Sequence, residues 1–171
     1  MPVTAGRSLT ALDLGELYAA HRLGLVRLAV LLVDDRATAE DVVQDAFAGL
    51  ATHSSGLRDP DKALAYLRQA VVNRSRSALR RRRTARAYAP QRSIEAARPD
   101  ERAVLADEHR EILAALGRLA PRQREVLVLR YWSDLSEGEI AHALGISRGA
   151  VKSTASRALD RLETFLEGGA S

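Results

Sequence analysis

The chain contains no cysteine. Disulfides, thiolate metal sites and cysteine nucleophiles are therefore excluded, and a reducing cytoplasm is the expected setting. Aromatic residues are scarce at 4%, with a single tryptophan, so the cores must be built mostly from Leu, Val and Ala. No long apolar run occurs. The most apolar stretch, Leu23 to Val33, is interrupted by Arg27 and falls far short of the roughly 20 residues that span a bilayer. It reads as a buried helix, and no membrane partner is expected. Met1 to Leu9 lacks a basic start followed by an apolar core, so no secretory signal is read. His21, His53, His109 and His142 stand apart without metal-ligand spacing, and no metal is expected. There is no phosphate-binding glycine loop and no nucleophile elbow. The acid pairs Glu40-Asp41 and Asp107-Glu108 are sequence neighbours on expected helices, so their carboxylates diverge. No catalytic residue and no cofactor is called for, and the chain does not read as an enzyme.

What is present is helical. The 171 residues allow one or two small domains, and 46% hydrophobic residues are enough for real cores. Leu14, Leu17, Tyr18, Leu25, Leu28, Ala29 and Leu32 recur at helical spacings. Asp34-Asp35-Arg36 breaks that helix, and Asp35 is a good cap for the next one. There Ala39, Val42, Val43, Ala46, Phe47 and Leu50 make one apolar stripe, and Asp41, Gln44, Asp45 and Ala48 make the opposite face. Such an acidic stripe is either a solvated face or a docking surface for a basic partner protein. Like charge would repel DNA there.

His53 to Asp59 reads as a loop, and Asp59-Pro60 as a helix start. The following helix places Ala63, Leu67, Ala70, Val71, Arg74 and Ala78 on one side and Arg68, Ser75, Arg76, Leu79 and Arg80 on the expected exposed side. From Lys62 to Ile94 there is no Asp or Glu, while the span holds Arg68, Arg74, Arg76, Arg80, Arg81, Arg82, Arg83, Arg86 and Arg92. A surface this one-sided repels itself unless a polyanion neutralises it, and phosphates do so with counterion release. A membrane-surface helix would want bulky apolar residues opposite the arginines, and past Leu79 there are few.

Pro90, Pro99 and the lack of apolar period between Arg86 and Arg102 mark a linker. Helical period resumes from Val104 through Leu105, Ile112, Leu113, Leu116 and Leu119, and Ala120-Pro121 restarts it. Ser136 to Leu162 then reads as helix, turn, helix. Ser136 and Glu139 have capping-box spacing, Gly145 suits the turn, and Ser147 suits the next cap. The second of these helices is expected to bury Val151, Thr154, Ala155, Ala158, Leu159 and Leu162. Its other face presents Arg148, Lys152, Ser153, Ser156 and Arg157, residue types that suit a DNA major groove. The sequence therefore predicts an all-α protein of two small helical domains: residues 11–84, a flexible linker over 85–104, and a helix-turn-helix domain over 105–167.

Three segments carry a family resemblance. Asp35-Arg36 with Ala39 to Phe47, Ala65 to Arg68 with Val72-Asn73-Arg74 and Arg80 to Arg83, and Leu119 to Leu127 with Ser136 to Leu162 together resemble a bacterial RNA polymerase sigma factor. The type is the small extracytoplasmic-function (ECF) one, close to the actinobacterial sigma-E-like group. The resemblance covers nearly all of Leu12 to Leu166. It implies that Asp41, Gln44 and Asp45 dock on the clamp helices of the largest subunit of core RNA polymerase. It implies that Asn73, Arg76, Arg80 and Arg81, with the His53 to Asp59 loop, bind and open the −10 element of promoter DNA. It implies that Lys152, Ser153, Ser156 and Arg157 read the −35 element with Arg148 near a phosphate, and that Pro121 to Tyr131 helps contact the polymerase flap. An anti-sigma factor is the further partner that such a family admits. The expected linker extends to at most roughly 70 Å at about 3.3–3.6 Å per residue, enough for elements about one and a half DNA turns, roughly 50 Å, apart. The melting helix departs from the family in carrying few aromatics to stack on unpaired bases, with Tyr66 the only one expected within it. A free-standing LuxR-like helix-turn-helix regulator with an N-terminal partner-binding bundle is the alternative. It needs neither the acidic stripe nor the acid-free arginine span. A nucleic-acid enzyme is a weaker third, against which the missing site chemistry counts.

Overall fold

The computed structural model describes residues 11–33, 35–53, 59–88 and 110–168. Seven α-helices and no strand occur among them: α1 Ala11–Val33, α2 Arg36–His53, α3 Pro60–Tyr88, α4 Arg110–Arg118, α5 Pro121–Tyr131, α6 Glu137–Leu144 and α7 Arg148–Glu167. The terminal tails, most of the His53 to Asp59 loop, and the expected linker beyond Tyr88 with the start of the next helix up to His109 lie outside the described residues.

The helix starts follow from local hydrogen bonding. Asp35 accepts the Thr38 amide on Oδ1 at 2.8 Å, and Asp59 accepts the Asp61 amide on Oδ1 at 3.0 Å. Each satisfies one of the donors that a first turn leaves free. Pro60 and Pro121 open α3 and α5, where a missing N–H costs nothing. α3 continues through residues 85–88, which the sequence assigned to the linker; nothing in Thr84-Ala85-Arg86-Ala87-Tyr88 breaks a helix.

The three N-terminal helices pack pairwise on one another. Leu17, Leu25, Leu28, Ala29 and Leu32 from α1 meet the complete α2 stripe and Ala63, Leu67, Val71 and Ala78 of α3, all buried. Tyr18 meets Phe47 edge-on, with ring centroids 4.9 Å apart. The C-terminal helices form a second cluster of α4, α5, α6 and α7. Arg124 closes the end of α4 by donating from Nε to the Leu116 carbonyl at 3.0 Å and from Nη2 to the Gly117 carbonyl at 2.7 Å.

The two clusters touch. α1 packs on α5 and α3 packs on α6, and the buried apolar residues form one continuous core. α5 shows why. Glu125, Val126, Leu127, Val128 and Leu129 are consecutive and all buried. Five residues at 100° steps pass right around a helix, so α5 is covered on every side. Its own cluster supplies part of that cover, and α1 supplies more.

Two expectations about faces are corrected. Leu159 is 40% exposed instead of joining the α7 stripe, because Val151, Ala155 and Ala158 alone define its fully buried line. Ser75 is buried and Arg76 is mostly covered, although both were expected on the exposed side of α3. The C-terminal cluster occupies that side.

Candidate nucleic-acid and polymerase interface

The helix-turn-helix is built from its caps upward. Ser136 Oγ accepts the Glu139 amide at 3.2 Å, and Glu139 Oε2 accepts the Ser136 amide at 2.8 Å. This reciprocal pair fixes the start of α6 and, through the Ser136 amide first and its hydroxyl second, holds the Glu139 carboxyl below the usual carboxylate range. Gly145 ends α6 with φ +63°, a left-handed backbone that an L side chain would strain. Ser147 Oγ then accepts the Ala150 amide at 3.1 Å and starts α7. Arg130 on α5 reaches Glu137 on α6 at 3.4 Å. Beneath this frame Ile140, Ala141, Leu144, Val151, Ala155 and Ala158 are buried.

The opposite face of α7 carries Arg148, Lys152, Ser153, Ser156 and Arg157, every one exposed. Ser153 donates its hydroxyl to the Ala150 carbonyl at 3.2 Å, and Arg157 Nε donates to the Ser153 carbonyl at 3.2 Å. In the free protein both side chains lie back along their own helix. The face is a cationic and hydroxyl-bearing ridge of the width a major groove admits.

On α2, Asp41, Gln44 and Asp45 are exposed, off the buried stripe of that helix. Asp41 and Asp45 also line a cavity of about 550 Å³ between α2 and α3, with Arg74 and Arg81 on the other wall.

The arginines of α3 divide. Asn73, Arg80, Arg81 and Arg83 are exposed. Arg82 is claimed by the fold: it pairs with Asp35, donates to Thr38 Oγ1 at 2.6 Å, and donates to the Val33 carbonyl at 3.2 Å. It thus ties the end of α1, the start of α2 and the C-terminal half of α3 together. Burial alone would raise the Asp35 pKa. The Thr38 amide, the Arg82 guanidinium and the Thr38 hydroxyl outweigh it and hold the carboxyl below its ordinary value.

Arg76 is also engaged. Its Nε donates to Glu125 Oε1 at 2.7 Å and its Nη2 to Oε2 at 3.1 Å, the two-pronged geometry that matches a guanidinium to a carboxylate. Glu125 lies on α5, its side chain only 9% exposed. Arg122 adds a weaker contact to Glu125 Oε2 at 3.3 Å and donates to the Leu144 carbonyl, also at 3.3 Å. Sequence reasoning assigned Glu125 no role. The available signal was an acid leading a run of four apolar residues, Val126 to Leu129, since a buried acid is rare without a paired cation.

Among the described residues no helix is long and apolar enough to cross a membrane, and no group of three or more His, Asp or Glu side chains could hold a metal.

A helical bundle with an acidic face, an arginine-rich helix and a helix-turn-helix defines a transcription protein that meets both DNA and protein. The sequence matches the families described as Sigma-70 region 2, over residues 17–85, and Sigma-70, region 4, over residues 109–162. It is 35% identical over 156 residues to an RNA polymerase sigma-E factor of Streptomyces antibioticus, covering 91% of this chain and 86% of that one. Among solved structures it resembles CnrH in complex with the cytosolic domain of CnrY, with 28% identity, a TM-score of 0.68 and coverage of 93% and 90%. It shares its fold with the sigma factor RpoE of Bartonella quintana, solved with the anti-sigma factor NepR, with 22% identity, a TM-score of 0.73 and coverage of 91% and 97%. The chain belongs to the RNA polymerase sigma factors, as an ECF sigma factor of the actinobacterial sigma-E type. It is a transcription initiation factor whose partners are core RNA polymerase and promoter DNA, and the free-standing regulator is set aside.

Proposed function

We propose that the sigma function is divided along the chain, with residues 11–84 binding core polymerase and the −10 element, 85–104 linking, and 105–167 binding the −35 element. The observation that carries this reading is the pair of exposed faces of opposite character. Lys152, Ser153, Ser156 and Arg157 with Arg148 stand on α7, and Asp41, Gln44 and Asp45 stand on α2. The α7 face reads −35 base edges and phosphates. The α2 face docks on the basic clamp surface of the largest polymerase subunit by charge complementarity. Asn73, Arg80 and Arg81, and Arg76 once released from Glu125, hold and help open the −10 element, and α5 supports contact with the flap. The factor works without a reaction of its own, as a specificity subunit of the polymerase. It acts in the cytoplasm, where its polymerase and promoter are. An anti-sigma factor is a further partner of this chain, as NepR is for RpoE.

The experiment is reconstitution. The purified chain is mixed with core polymerase and a library of promoter fragments. Promoter-dependent transcripts that require the added chain are expected, with protection at both elements. Transcripts with protection at one element only would sink the division of labour.

A further inference from the structure

We propose that Arg118 is a positioning residue for −35 recognition: its guanidinium, laid on the ring of Phe165, pins the far end of α7 and so sets the tilt at which the reading face of that helix enters the major groove. The proposal rests on the reading that this face meets the −35 element. Three observations carry it. First, the grip on α7 is uneven. Its fully buried residues are Val151, Ala155 and Ala158, and from Leu159 to Glu167 no residue is buried. Two of the three are alanines, which let helices approach closely but bury little area. They hold α7 near its neighbours without fixing how it tilts. Second, the far end has its own hold. There the helix rests on the half-buried Leu162 and Phe165. The guanidinium carbon of Arg118 stands 4.0 Å from the Phe165 ring centroid, inside the roughly 6 Å at which a cation is drawn to an aromatic face. Third, the anchor is rigid. Arg118 ends α4 between the buried Leu116 and Leu119, and Arg124 holds the carbonyls just before it, at Leu116 and Gly117. The platform is set by the core of its own cluster, and α7 takes its orientation from it.

The leverage follows from helix geometry. At 1.5 Å per residue, Phe165 lies about 12 Å from Arg157 and about 20 Å from Lys152 along the axis. A tilt about the Ala155–Ala158 contact moves Lys152 and Phe165 in opposite directions. Hydrogen bonds to base edges are lost on a displacement of about an ångström, whereas attraction to phosphates is long-ranged and tolerates it. Losing the pin should therefore lower discrimination between sequences and leave the salt-dependent part of binding as it was.

The test uses the full-length chain and two probes: a −35 duplex from a promoter that the chain transcribes with core polymerase, and a scrambled duplex of the same length. Affinity and its salt slope are measured for wild type, Arg118→Ala, Phe165→Leu, Phe165→Tyr and the Arg118→Ala/Phe165→Leu double variant. Arg157→Ala is the control for base reading. All titrations are run below the onset of melting of every variant, so that each is compared folded. Arg118→Ala and Phe165→Leu should each weaken binding to the −35 duplex by about two- to fivefold, the range of an exposed cation–π contact. Binding to the scrambled duplex and the salt slope should not change. The double variant should be no worse than either single one, and Phe165→Tyr, which keeps the ring, should match the wild type. A salt slope lowered by about 1 in Arg118→Ala, with both duplexes weakened alike, would make Arg118 a phosphate contact and overturn the positioning role. A ratio between the duplexes that falls in Arg157→Ala but holds in Arg118→Ala and Phe165→Leu would overturn it too. A ratio that holds even in Arg157→Ala would sink the underlying reading of the α7 face.

Discussion

Arg82→Ala separates the structural arginine from its exposed neighbours in the run Arg80 to Arg83. The guanidinium pairs with the partly buried Asp35 carboxylate, donates to Thr38 Oγ1 and donates to the last carbonyl of α1. A hydrogen bond to a charged partner contributes about 1.5–3 kcal/mol. Because the Arg82 side chain is 41% exposed while Asp35 is 16% exposed, the low half of that range applies, and the loss should be about 2 kcal/mol. For a chain of this length that corresponds to a fall in Tm of about 4–8 °C. Alanine keeps α3 helical, so the loss is that of the clamp alone. The control is Arg81→Ala, an exposed neighbour, whose effect should stay within about 0.5 kcal/mol. The pH dependence adds a second readout. The folded pKa of Asp35 is depressed, so its contribution is fully present above the unfolded value and is lost as pH falls through the folded one. Since Arg82 supplies part of that depression, the gap between wild type and Arg82→Ala should be widest near neutral pH. It should narrow below about pH 4. DNA binding should show the reverse ranking: Arg81→Ala lowers the salt slope by about 1 if it meets a phosphate, and Arg82→Ala leaves it unchanged. Equal melting points for the two variants, or a stability gap that ignores pH, would refute the clamp.

Asp45→Arg inverts the charge of the exposed α2 face; binding to core polymerase, followed by fluorescence anisotropy, should weaken while affinity of the free chain for DNA holds or rises. Arg157→Ala should weaken binding to a −35 duplex by about 1–3 kcal/mol if the side chain reads a base, and a titration against a scrambled duplex would show no such loss. Gly145→Ala meets no neighbouring atom within 4 Å but must hold φ near +63°, so thermal melts should report a cost of about 1–2 kcal/mol. Gly145→Asn, a residue that tolerates this backbone, should cost less.

Local features were the most legible in the sequence because each is decided within a few residues. Asp35, Asp59, Ser136 and Ser147 all accept first-turn amides, and Gly145 adopts the left-handed turn. The α2 stripe from Ala39 to Leu50 is buried throughout because every member faces helices of its own bundle. What was not legible needed a partner from far along the chain. Ser75 and Arg76 stand where helical periodicity predicts solvent, yet the C-terminal cluster covers that side of α3. Periodicity reports which residues share a face and is silent on what another domain lays against it. The same limit explains Glu125 and Arg82. Their partners lie 49 and 47 residues away, and no spacing rule links them.

Those long-range pairs change how the arginine span is to be understood. A run of cations without acids looks like a uniform electrostatic surface, and as sequence it argues only for a polyanion. In the fold the cations are sorted by the acids brought to them. Asp35 takes Arg82 from the side of α1 and α2, where the pair is part of the bundle and has no reason to open. Glu125 takes Arg76 across the seam between regions 2 and 4, so this pair joins two units where the other joins helices of one. Arg80, Arg81 and Arg83 remain exposed, so a nonspecific, salt-dependent attraction to a polyanion would fall on them.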